Sequence, residues 1–304
     1  MKKFLLMLLL AIGALSLAAC GDREDDEDTF TIAFIASTFE NPFFLDIEEG
    51  ILNILDQYDE FEYVSVGSDN DAAKQDNDID DMIALGVDLI LLNPVDSTTV
   101  AAQVEEAQAA GIPVITVDRG AEGVEVLAHV ASDNVFGGEI AGQYLLDAWD
   151  GTSPVLQLLG QPGASAAIDR QEGFENIWDL EDIDQTITAN WSRAEAQDVT
   201  EAFLAAQDNP ETVFIFAAND EMALGAVEAI LESTTASIET SVVVGFDAIP
   251  DALDSIDDDE LRATVQQQPV LMGELAAQAA VDYLNGEDIE ASVDVEVVLI
   301  TKED

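Results

Sequence analysis

Ile112-Pro113-Val114-Ile115-Thr116-Val117-Asp118-Arg119 is an apolar run that ends abruptly in a carboxylate and a guanidinium. Gly111 stops a helical stretch just before it, and Pro113 opens an extended one. A near-continuous apolar run of this kind reads as a strand of a parallel sheet covered on both faces. Open α/β sheets bind ligands beyond the carboxyl ends of their strands, where Asp118 and Arg119 stand. The chain carries 64 acidic residues against 9 Lys plus Arg, so a cation in that place is a selected one. Arg170, in Ala167-Ile168-Asp169-Arg170-Gln171-Glu172-Gly173-Phe174, follows a glycine-bearing turn. The planar fork of a guanidinium suits a neutral polyol or an anion. The plainer alternative is that both arginines only neutralise nearby carboxylates.

Outward from this strand, the same alternation runs from Thr31 to the end. Strand signals fall at 31–37, 62–66, 89–93, 113–118 and 126–132, then at 154–159, 185–191, 212–217, 241–246 and 263–267. Helical periodicity falls between them at 44–58, 98–110, 138–148, 194–206 and 221–232. Such alternation predicts α/β architecture with parallel sheets. Ten or so strands suit two sheets of about five; a (β/α)₈ barrel is the rival. No Gly/Ser linker separates the halves, which favours two closely joined lobes over separate beads.

Lys2-Lys3, the apolar run Phe4–Leu17 and Leu17-Ala18-Ala19-Cys20 read as an export signal over 1–19 that ends in a lipobox. Cys20 is then the lipidation site and the membrane anchor, with residues 20–30 an acidic tether. The expected location is outside the cytoplasm, at the periplasmic or outer cell surface. Cys20 is the one cysteine, which excludes a disulfide within the chain and a cysteine-rich metal site. Of the 304 residues, 285 follow the signal segment, a length that favours two domains.

The formal net charge of −55 repels polyanions and excludes nucleic acid as a partner. With 48% hydrophobic residues, the acidity does not signal disorder. It strains a compact state by self-repulsion. At molar salt the Debye length falls to about 3 Å and that repulsion is screened. The composition is therefore that of a protein adapted to brine. Asp69-Asn70-Asp71 lacks the glycine and terminal glutamate of a calcium loop, and no metal or cofactor is expected.

Polar residues gather at six strand ends. Asp118 and Asp247 can accept from hydroxyls; Arg119, Arg170 and the amides of Asn41, Asn93, Asn219 and Gln267 can donate. Phe43, Phe44 and Trp191 offer faces for the C–H side of a sugar ring, although packing in the core would equally account for Phe43 and Phe44. Asp220 reads as a helix cap.

In order along the chain stand Ser37-Thr38 with Asn41-Pro42-Phe43-Phe44, Leu92-Asn93-Pro94, Ile115-Thr116-Val117-Asp118-Arg119 and Ala131-Ser132-Asp133-Asn134. Gly163-Ala164-Ser165-Ala166-Ala167 through Arg170 follows, then Ala218–Gly225 and Val244-Gly245-Phe246-Asp247. These motifs resemble the periplasmic sugar-binding (type I) family of ABC importers, its ribose-binding members in particular. The resemblance implies two Rossmann-like lobes joined by three crossings, near Ser132-Asp133, Gln267-Gln268 and Asp294-Val295. The lobes would be 31–132 plus 268–294 and 133–267 plus 295–304. It implies a monomer that closes on a monosaccharide, D-ribose or a close relative, and delivers it to ABC permease transmembrane subunits. By motif, the first lobe contributes Ser37, Asn41, Phe43, Phe44, Asn93, Asp118 and Arg119. The second contributes Arg170, Trp191, Asn219, Phe246, Asp247 and Gln267. Trp191 stands where members usually carry phenylalanine, which leaves the exact sugar open.

An enzyme is not expected. His129, the one histidine, lies in the apolar run Val126-Leu127-Ala128-His129-Val130 and reads as structural. There is no Gly-x-Ser-x-Gly elbow, and Pro162 breaks any dinucleotide loop in Gly160-Gln161-Pro162-Gly163. A carbohydrate-active enzyme, or a ligand presenter for a chemoreceptor or sensor kinase, are the alternative functions. The melting temperature should fall steadily as salt is lowered from molar to millimolar; circular dichroism with an unchanged melt in dilute buffer would refute the brine reading.

Overall fold

A computed structural model describes residues 29–302. The export signal, Cys20 and most of the tether lie outside these residues. The first lobe is built from β1 (Phe30–Ala36), α1 (Pro42–Leu55), β2 (Phe61–Gly67), α2 (Ala72–Leu85), β3 (Leu89–Leu92), α3 (Ala101–Ala109), β4 (Val114–Val117) and β5 (Ala128–Ser132). The second follows with α4 (Asn134–Ala148), β6 (Val155–Leu159), α5 (Ser165–Ile177), β7 (Gln185–Thr188), α6 (Arg193–Ala206), β8 (Phe214–Ala217), α7 (Asp220–Glu232), β9 (Val242–Asp247), α8 (Pro250–Asp257) and β10 (Ala263–Gln266). The chain ends with α9 (Pro269–Leu284), β11 (Ser292–Val295) and β12 (Val298–Thr301).

Two six-stranded sheets result, in the orders β11-β5-β4-β3-β1-β2 and β12-β10-β9-β8-β6-β7. All pairings are parallel except β10 with β12. Side-chain alternation assigns each strand residue to one of two cores. Ile32, Phe34, Leu89 and Leu91 pack with α1 and α9, whereas Ala33, Ile35, Ile90 and Leu92 pack with Ile79 of α2 and Val104 of α3. In the second sheet Leu156, Leu158, Ile215 and Ala217 face α6 and α7, and Val155, Phe214, Phe216 and Val244 face α4 and α5. Both faces of both sheets are covered, so this is a pair of Rossmann-like layers and not a barrel.

The chain passes between sheets after Ser132, between Gln266 and Pro269, and between β11 and β12. Val295 still pairs with Ser132 in the first sheet, which puts the third crossing at Glu296–Val297, just past the expected Asp294–Val295. Each sheet gains a sixth strand that the apolar runs did not reveal. β11 and β12 are edge strands of four residues, and only Val295 among them is buried. The expected strand 185–191 stops at Thr188, because Asn190 and Trp191 take φ of 50° and 64° and turn the chain. Helix 98–110 starts later, at Ala101. Asp220 does not cap α7. Asn219 does, by accepting from the Met222 N–H, and Asp220 sits one place inside.

Helices α1 and α9 cross in near contact. A Cβ on Gly50 would lie 2.0 Å from the Val270 carbonyl oxygen, and one on Gly273 would lie 2.1 Å from that of Ile47. This closeness lets α9, arriving after the second crossing, seat α1 and its Asn41-Pro42-Phe43-Phe44 start. Gly273→Ala should therefore overpack the joint and cost about 1–3 kcal/mol. Denaturant unfolding in molar salt measures it, and an unchanged midpoint would contradict the close packing.

Candidate functional site

Loops at the carboxyl ends of strands from both sheets enclose a cavity of about 300 Å³. That is at the small end for ligand sites. Asn41, Phe43, Phe44, Asp118 and Arg119 line it from the first lobe; Arg170, Trp191, Asn219, Asp247 and Gln267 line it from the other side. The helix caps explain two of the donors. Asn41 and Asn219 each spend the side-chain oxygen on a helix N-terminus, accepting from Phe43 N–H and Met222 N–H at 3.0 Å, and keep their amide NH₂ for other partners.

The two arginines form the centre. Both are almost fully buried, at 4% and 3% exposure. Arg119 lies 5.5 Å from the ring centres of both Phe44 and Trp191, and Arg170 lies 3.7 Å over Phe246 and 5.7 Å from Trp191. Arg170 donates to Asn134 Oδ1 and to the Ala218 carbonyl, each at 2.8 Å, and pairs with Asp247 at 3.5 Å. Arg119 is held less: it reaches Pro94 O at 3.3 Å and Asp118 at 3.7 Å. Burial pulls both guanidinium pKa values down, and Asp118 and Asp247 oppose that loss of charge. Cation–π contact adds a further counterweight.

Three sequence candidates stand behind the wall, off the cavity lining. Asn93 is fully buried: its Nδ2 donates to Val117 O at 2.9 Å and to Asp118 Oδ2 at 3.0 Å, and its Oδ1 accepts from Ser37 N–H. It orients Asp118. Ser37 is likewise fully buried, at the end of β1. Phe246 is the floor under Arg170. All three stand at or next to a strand end, but Ser37 and Asn93 are fully buried and Phe246 packs in the core of its lobe.

Reading the sequence missed Thr38, Glu40, Asn70, Asn190, Arg193 and Glu221, all of which line the cavity. Arg193 was legible by the scarcity that marked Arg119. It bonds Glu221 at 2.9 Å and Asp251 at 3.1 Å. Asn70 was not legible, because it reaches the site only through a turn with φ of 54° at Asp69 and 56° at Asn70, pinned by Asn70 N–H to Ser37 O. Asp71 of that turn caps α2. His129 bonds Thr116 Oγ1 at 2.8 Å through Nδ1, and burial keeps its pKa low.

Strain concentrates here. Asp118, Trp191, Asp247 and Ala248 all have φ between 60° and 124°, a region that residues with a Cβ avoid. Among the described residues, Asp118 Oδ1, Arg119 Nε and Trp191 Nε1 are buried with no hydrogen-bond partner. Such atoms are costly unless something completes them.

A family model described as a periplasmic binding protein domain matches residues 32–288. The chain belongs to the periplasmic binding protein family. It is 39% identical to a ribose import binding protein of Bacillus subtilis, over 97% of this chain and 98% of that protein. It is 37% identical to one of Escherichia coli, over 90% and 91%. A solved arabinose-transporter binding protein from Shewanella sp. ANA-3, bound to L-arabinofuranose, superposes with a TM-score of 0.81 at 31% identity, covering 90% of this chain and 92% of that one. A Bacillus halodurans solute-binding protein with myo-inositol gives 0.81 at 28%, covering 92% and 96%. The two-lobed family fold thus accounts for the described residues almost end to end.

Asp247 generates a pH prediction. Burial raises its carboxyl to about 7, while Arg170 and Gln267 pull it back. Asp220, behind it, is driven well above the usual range by burial and by Asp247. A raised carboxyl holds a proton that the unfolded chain releases near pH 4. Its stabilising contribution is thus complete below about pH 4 and is lost as pH rises through about 7. Asp247→Asn removes that titration. Melting curves from about pH 4 to 8 should show wild type losing stability relative to Asp247→Asn as pH rises; parallel curves would contradict the buried titration.

Proposed function

We propose that this chain captures a neutral monosaccharide, D-ribose first among candidates, and hands it to an ABC permease without altering it. The observation that carries the proposal is the set of buried, uncompleted donors and acceptors, Asp118 Oδ1, Arg119 Nε and Trp191 Nε1, at a small cavity. Sugar hydroxyls can both give and take hydrogen bonds, so one ring can satisfy both the acceptor and the two donors. Charge argues for neutrality, since Arg119 and Arg170 already face Asp118 and Asp247. The ribose relatives favour ribose; arabinofuranose and myo-inositol in solved neighbours define the competing panel.

The rest of the proposal follows the sequence. Residues 1–19 direct export, Cys20 carries the lipid anchor, and 31–132 with 268–294 and 133–267 with 295–304 are the moving lobes. The acidic chain works as a monomer in brine. Among the contacts, Asn41, Asn219 and Gln267 supply donors, and Phe43, Phe44 and Trp191 enclose the ring. Ser37, Asn93 and Phe246 support Asp118 and Arg170 from behind.

Titration calorimetry in molar salt against D-ribose, L-arabinose, D-allose and myo-inositol tests the reading. Ribose should bind best, and Arg119→Ala should cost about 2–5 kcal/mol of that affinity by removing a charged donor and the counter-charge of Asp118. Wild-type affinity in Arg119→Ala, or no heat with any of the four, would reject it.

A further inference from the structure

We propose that Ser97 of the first lobe and Ser165 of the second form a latch that holds the lobes shut by capping a helix across the cleft. The proposal rests on the sugar-binding reading only for the ligand that reports on it.

Helix α5 begins at Ser165, and the residue before it is Ala164, which offers no side-chain cap. A helix start leaves several N–H groups unsatisfied, and Ser, Thr, Asp or Asn ordinarily fills that place. Here the acceptor comes from the other lobe. Ser165 N–H donates to Ser97 Oγ at 3.0 Å. Ser97 N–H in turn donates to the Gly163 carbonyl at 2.8 Å. Ser165 Oγ accepts from the N–H of Gly120, next to Arg119, at 2.9 Å. Three bonds thus tie the loops after β3 and β4 to the loop after β6.

The turn is shaped for this contact. Gly163 has φ of 89°, and a Cβ there would come 2.3 Å from Asp96 Oδ2. Asp96 is itself fixed by accepting from Thr98 and Thr99 N–H. Ser97 is fully buried by the contact. Sheet order puts β6 near the edge away from β10 and β12, and puts β3 and β4 in the middle of the first sheet, so the latch bonds are made by strands other than those that run directly into the crossings.

None of Ser97, Gly120, Gly163 or Ser165 lines the cavity. Their bonds exist only while the lobes are together, so they stabilise the closed form without touching ligand. A ligand that needs the closed form then binds more tightly in proportion to how much of it is already populated. The same helix carries Arg170, so opening would uncap the element that holds a central contact.

Stopped-flow tryptophan fluorescence in molar salt, following release of D-ribose, tests the latch in wild type, Ser97→Ala, Ser165→Ala and Ser165→Thr. Loss of one such bond should speed release about 3- to 10-fold in each alanine variant with little change in association. Ser165→Thr keeps the hydroxyl and should release within about 2-fold of wild type, since no latch bond is lost. Release at the wild-type rate in both alanine variants overturns the proposal, as does a Ser165→Thr variant as fast as Ser165→Ala. If wild type takes up no ribose, the sugar reading fails and the latch is judged on ligand-free chains by small-angle scattering. A larger radius of gyration in the alanine variants than in wild type and Ser165→Thr supports it; equal radii overturn it.

Discussion

Two guanidinium groups are buried in the middle of this molecule, and much of the architecture around them keeps them there. Charges of one sign at close quarters in a poorly hydrated place are unstable unless carboxylates, rings and carbonyls surround them. Arg170 is fully accommodated, with Phe246 beneath, Asn134 and the Ala218 carbonyl at its edges and Asp247 opposite. Arg119 is not; its Nε has no hydrogen bond and comes only within 3.7 Å of Asp118 Oδ2, and the other oxygen of Asp118 has no partner. This asymmetry gives the cleft its chemistry, a finished half and an unfinished half that a hydroxylated ring can complete.

The fold delivers these groups from both sides. Parallel strands point their carboxyl ends at the cleft, so Asp118 and Arg119 arrive after β4 and Asp247 closes β9. The crossings link the halves through Ser132 Oγ, which donates to Gln267 Oε1 at 2.8 Å, and Gln267 Nε2, which donates to Asp247 at 2.6 Å. A polar chain therefore runs from the end of β5 through the second crossing to a cavity carboxylate. Any motion of one lobe against the other would be passed along this chain to the site, and the strained φ of Asp247 belongs to that same junction.

Much of this was legible in the residues. Val114–Val117 ended where Asp118 and Arg119 promised, and scarcity of cations marked Arg170 as a site candidate, which the structure places in the cavity lining. What escaped has physical reasons. Edge strands β11 and β12 carry too little apolar surface to stand out. Asn93 and Asp118 are both strand-end polar residues, and only packing distinguishes the one that supports from the one that lines. Asn70 depends on two successive left-handed residues that a pattern of apolar spacing does not encode. The cross-lobe cap of α5 by Ser97 joins residues that are remote in sequence, so no local signal announces it.

The most direct test of the account is a crystal structure determined in molar salt with D-ribose. One sugar ring is expected between Phe44 and Trp191, with hydroxyls within hydrogen-bond distance of Asp118 Oδ1 and Arg119 Nε. An empty cleft at saturating ribose, or an inorganic anion bridging Arg119 and Arg170 in its place, would contradict it.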